Sequence, residues 1–177
     1  MDVYLDALGS VTPVSSITLR SRLDGQLTSV RFSEGQMVRA GDLLAEIDPR
    51  PYQVQLAQAE AQLARDNAVL ANARADLERY RSLHEKRLIP VQQLDTQASV
   101  VRQHEATLKM TQAALESAKL QLSYSRITAP VMGRVGLRQV DAGNMVRAND
   151  ANGIVVITQL QPITVLFSIP EDRVRAV

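Results

Sequence analysis

The side chains that most often do chemistry are scarce in this sequence. There is no cysteine, which excludes a disulfide, a thiolate zinc site and a cysteine nucleophile. The two histidines, His84 and His104, have no further ligands at metal spacing around them, so both are expected to be exposed helix residues. No Ser/His/Asp set, paired-carboxylate setting, Walker loop or dinucleotide fingerprint occurs. No catalytic, cofactor-binding or metal-binding residue is therefore assigned, and the chain reads as a protein that is not an enzyme. A net charge of +1 gives no electrostatic case for nucleic acid. Lysine occurs three times, at 86, 109 and 119, all inside one glycine-free stretch.

Function must then come from shape, and the shape is written as a repeat. Laid over Gly133–Asp150, the segment Gly25–Asp42 matches Gly25 with Gly133, Gly35 with Gly143, Met37 with Met145 and Val38 with Val146. Arg39 with Arg147, Ala40 with Ala148 and Asp42 with Asp150 complete the identities, all at an offset of 108 residues. Leu27 with Val135 and Phe32 with Val140 are conservative apolar matches at the same offset. In the first copy β-formers cluster at Thr18–Arg20, Gln26–Phe32 and Leu43–Ile47, and in the second at Arg134–Val140 and Ile154–Thr158. The glycines between them are expected where the backbone needs positive φ. Neither half has enough apolar surface to stand alone, so the two are expected to close around Leu27, Val30, Ile47, Val135, Val155 and Ile157.

Between the copies, residues 51 to 129 contain no glycine and one internal proline, Pro90, and are dominated by good helix formers. Leu56, Leu63, Leu70 and Leu77 step by seven, and so do Leu94, Val101, Leu108 and Leu115. That is the spacing of a coiled-coil seam. Mirror pairing of the two series (Leu77 with Leu94, Leu70 with Val101, Leu63 with Leu108, Leu56 with Leu115) predicts an antiparallel hairpin. Its reversal centres between Glu85 and Lys86, with a tip near 83–90. Arms of about 33 residues would be roughly 50 Å long. Arg65, Asp66, Arg74, Asp76, Glu78, Arg102 and Glu116 are expected on the solvated faces.

The fold class expected is α+β. Two quasi-symmetric halves forming a flattened barrel resemble the lipoyl/biotinyl-carrier fold, interrupted here by the coiled-coil hairpin. Carriers of that kind present a modifiable lysine on the turn after the first half. This chain has Ile47-Asp48-Pro49-Arg50-Pro51 there, which leaves the carrier domain as a minor alternative. The boundaries expected are a flank at 1–16, the first half at 17–49, the hairpin at 50–125, the second half at 126–160 and a further flank at 161–177.

The stretches 22–27 (Arg-Leu-Asp-Gly-Gln-Leu), 34–49, 126–136 (Arg-Ile-Thr-Ala-Pro-Val-Met-Gly-Arg-Val-Gly) and 153–159 resemble the periplasmic adaptor, or membrane fusion, proteins of tripartite multidrug efflux pumps, in particular those of resistance-nodulation-division (RND) transporters. The resemblance spans nearly the whole chain. It implies a non-enzymatic adaptor in the periplasm of a Gram-negative bacterium, associated with the inner membrane. Self-association into a ring would join an inner-membrane RND-type transporter to an outer-membrane channel; an adaptor of an ABC-type exporter is the alternative. It also implies that 1–16 and 161–177 are edge strands of a second β-barrel domain, and that any signal or membrane anchor lies outside these residues. The family's channel-docking motif is an arginine, a leucine four residues on and a serine seven beyond. Arg79 and Leu83 match the first two, while the serine position is Pro90, a departure that removes the third hydroxyl and a likely helix N-cap.

Overall fold

A computed structural model describes residues 8–148 and 150–168. Of the expected flanks at 1–16 and 161–177, residues 1–7 and 169–177 lie outside the described residues. The strands are β1 (Gly9–Leu19), β2 (Gly25–Val30), β3 (Met37–Val38) and β4 (Leu43–Ile47) before the helices, and β5 (Arg126–Thr128), β6 (Gly133–Val135), β7 (Met145–Val146) and β8 (Val155–Phe167) after them. Between the two sets run α1 (Arg50–Glu85) and α2 (Val91–Tyr124). The chain divides into two compact units, one of residues 49–125 and the other of the remaining described residues.

The β unit has two four-stranded sheets, ordered β1-β8-β6-β3 and β5-β4-β2-β7, so each sheet draws strands from both copies of the repeat. The exchange is reciprocal. Gly25 pairs with Val146 across β2 and β7, and the equivalent Gly133 pairs with Val38 across β6 and β3. The N–H of Leu27 bonds the carbonyl of Asn144, and the N–H of Val135 bonds that of Gln36, both at 2.9 Å. In return Gly143 donates to Leu27 and Gly35 to Val135. A half without its partner would leave these backbone groups unpaired, which is why two weak motifs make one stable unit.

Apolar side chains fill the space between the sheets in two clusters. One holds Leu27, Ala45, Ile47, Ile127, Val146 and Ile154, and the other Val38, Leu44, Ala129, Val135, Val155 and Ile157. Each fully buried Leu or Ile contributes about 1.5–3 kcal/mol. Val30 is only half-buried and packs at the margin of the first cluster. The outer lengths of β1 and β8 pair with each other, Val11 opposite Val165 and Gly9 opposite Phe167.

Three expectations about the strands change. The regular strand β6 ends at Val135; beyond it Gly136 and Gln139 still donate to the carbonyls of Val156 and Ile154, while Arg138 donates its backbone N–H to Glu34 and forms an ion pair with Asp141 at 2.8 Å. The two-residue strands β3 and β7 fall at repeat positions where no cluster of β-formers marks a strand. Gly35 and Gly143 do take positive φ, 76° and 96°, but Gly25 and Gly133 do not. Those two are glycines because the neighbouring strand is too close: a Cβ on Gly133 would sit 2.6 Å from the Thr158 carbonyl oxygen, and one on Gly25 2.6 Å from Ile47 Cγ2.

In the helical unit, α1 has 36 residues and α2 has 34. Pro51 stands in the first turn of α1, where its missing N–H costs nothing. Leu70, Ala73, Leu77 and Val101 form one buried cluster, with Leu94, Ala98 and Leu108 packed on it. Leu115 is also buried, and Leu56 and Leu63 are half-buried. Among the described residues no helix is long and apolar enough to cross a membrane.

Candidate docking tip of the helical hairpin

The turn between the arms spans residues 86–90, centred on Leu88 rather than between Glu85 and Lys86. Its geometry follows from how α1 stops. Leu88 N–H bonds the carbonyl of Leu83 at 3.0 Å and Arg87 N–H bonds that of His84 at 2.8 Å, while Arg87 takes a left-handed φ of 58°. This is a Schellman motif, with an arginine where glycine is usual. It satisfies the last carbonyls of α1 and sets Leu83 and Leu88 at the two positions whose side chains commonly touch in such a cap. Pro90 follows as the N-cap residue of α2, extended at ψ 151° and without a side-chain cap. The His84 ring closes the loop: Nδ1 lies 3.3 Å from the carbonyl oxygen of Ile89.

The tip residues of the family motif are therefore gathered at one end of the hairpin. Leu83 is 38% exposed and Leu88 67%. Val91, at the start of α2, is exposed beside them in sequence. Arg79, in the last two turns of α1, is exposed and paired with Asp76, and Arg81 is paired with Glu78. These pairings offset the charges of Arg79 and Arg81, leaving Lys86 and Arg87 as the more prominent cations of the tip. Leu88 was not part of the expected site. Only the backbone turn at Arg87 decides that it faces outward, and no residue type announces that turn.

Several residues expected to be exposed are covered. Asp66 is not on a solvated face: it is 6% exposed, in the seam between the arms. Thr111 Oγ1 of α2, itself 8% exposed, donates to Asp66 Oδ2 at 2.6 Å. Gln62 Nε2 reaches both carboxylate oxygens at 3.0 Å, and Arg65 donates to Oδ1. The Thr111 and Gln62 hydrogen bonds, with help from Arg65, hold the carboxyl below its ordinary value against the opposing effect of burial. The signal was present in the sequence as a second seven-step line, Ala59, Asp66, Ala73 and Tyr80, running beside the leucines. His84 and His104 are likewise half-buried rather than exposed. Among the described residues no group of His, Asp and Glu could hold a metal ion.

Residues 15–158 match the RND MFP barrel-sandwich hybrid domain. The chain belongs to the RND membrane fusion protein family. It is 56% identical over 174 residues to the multidrug resistance protein MdtA of Photorhabdus laumondii, covering 98% of this chain and 43% of that one. With the MdtA of Pectobacterium carotovorum the identity is 58%, over 98% of this chain and 42% of the relative. The chain thus spans less than half the length of these relatives. Among solved structures, a MacA–MexA chimera carrying the Pseudomonas aeruginosa MexA α-hairpin domain is 27% identical, with a TM-score of 0.63, over 94% of this chain and 56% of that chain. The membrane fusion protein Spr0693 of Streptococcus pneumoniae R6 shares the fold at a TM-score of 0.68 and 19% identity, over 98% of this chain and 74% of that one.

Proposed function

We propose that this membrane fusion protein is the barrel-sandwich and hairpin portion of a non-enzymatic periplasmic adaptor for multidrug efflux. In this reading the β unit is lipoyl-like, several copies ring an inner-membrane RND-type transporter, and the hairpin tip docks an outer-membrane channel through Arg79, Leu83 and the segment at Pro90. The match of nearly the whole of this chain to part of the MdtA proteins supports the assignment to multidrug efflux. The observation that carries the docking role is the exposure of Leu83 and Leu88 in the helix cap that ends α1, tied by the Leu88 N–H bond to the Leu83 carbonyl. Exposed apolar side chains at a defined geometry mark an interaction surface.

Arg79→Asp or Leu83→Ser in the full-length protein is expected to abolish efflux-dependent resistance without lowering expression or melting temperature. An interface anchor lost in this way costs about 2 kcal/mol, roughly a thirtyfold weaker contact. Glu116→Ala, on an exposed shaft position, is the control and is expected to leave resistance unchanged. Tip variants that retain full resistance, with a control that loses it, would refute docking through this tip.

A further inference from the structure

Among the described residues, Asp66 is the one charged side chain that is buried, and it spans the two arms. We propose that the Asp66–Thr111 hydrogen bond is a clasp that fixes the register of α1 against α2 along the shaft. Apolar packing does this poorly, because Leu56, Leu63, Leu70 and Leu77 repeat every seven residues against a partner arm with the same period. Sliding one arm by a heptad sets a leucine or valine against a leucine again. The turn at 86–90 holds only the tip end, and Asp66 lies about 30 Å of helix away from it.

The polar pair has no such degeneracy. Moved one heptad, Thr111 is replaced opposite Asp66 by Ala118 in one direction and His104 in the other. Ala118 offers no donor and strands the carboxylate, while His104 brings a ring into a space that fits a threonine. Gln62 and Arg65, on the same helix as Asp66, move with it and cannot distinguish the registers. The discrimination therefore rests on Thr111 alone. A buried ionic group in an otherwise apolar seam commonly reduces stability and secures one arrangement, as a single polar core residue does in coiled coils.

The test uses full-length protein with spin labels on cysteines introduced at two exposed shaft positions, Ala68→Cys and Ala106→Cys, in a chain that has no cysteine of its own in this region. The parent is expected to give one narrow interlabel distance. Asp66→Leu combined with Thr111→Val is expected to raise the melting temperature of the helical signal by a few degrees. It is also expected to broaden the distance distribution or split it by about 10 Å, the rise of one heptad. Asp66→Asn keeps a hydrogen-bond acceptor for Thr111 and is expected to keep the narrow distance. A narrow, unshifted distance in the Leu/Val variant overturns the proposal whatever its melting temperature does. Broadening in Asp66→Asn equal to that in the Leu/Val variant overturns it as well.

Discussion

Arg87 holds a left-handed backbone, φ 58°, that costs a residue bearing a Cβ about 1 kcal/mol relative to glycine. Arg87→Gly is therefore expected to raise hairpin stability by up to about that amount in urea unfolding, offset in part by the greater freedom of glycine in the unfolded chain. Gly133 presents the opposite case. Gly133→Ala would drive a methyl against the backbone of Thr158, which cannot move without disturbing the β6–β8 pairing, so a loss of about 2 kcal/mol or more is expected from the same measurement. Asp66 ties the shaft to pH. Its carboxyl titrates lower in the folded hairpin than in the unfolded chain, so its contribution is complete above the unfolded value of about 3.9 and fades as pH falls through the folded value. Helical melting should accordingly be insensitive to this group from pH 7 to 5 and fall below about pH 4, and Asp66→Asn should flatten that fall.

At the scale of elements, α1 and α2 are an insertion between two strands that are already neighbours. Glu46 and Arg126 stand directly opposite in the β4–β5 pair, although 80 positions of sequence separate them. Replacing residues 49–125 with a short Asn-Gly loop is expected to leave a folded β unit, because such loops join antiparallel strands with the right twist. Proton–nitrogen spectra of the excised unit should show dispersed amide signals; a collapsed spectrum would mean that the helices are needed to close the sheets. Within the β unit the two copies are less separable. Each supplies two strands to each sheet, so no cut between them leaves a complete layer.

For the whole molecule, the division into two compact units predicts separable unfolding. Val135→Asp places an unpaired charge in the core of the β unit, and the β signal should be lost while much of the helical signal remains. Loss of both in a single transition would show that the units are coupled. The sequence by itself determined the parts of this protein that are periodic. The repeat at 108 residues named the inward positions Leu27 and Val135, and the seven-residue steps gave two helices and a reversal, because burial on one face imposes a period that composition must follow. The tertiary structure alone decided features that have no period. The exchange of β3 and β7 between halves depends on two residues each, too few to leave a pattern. The outward face of Leu88 depends on one backbone angle at Arg87, and the burial of Asp66 on a hydroxyl 45 residues away whose position is fixed only when the arms come together.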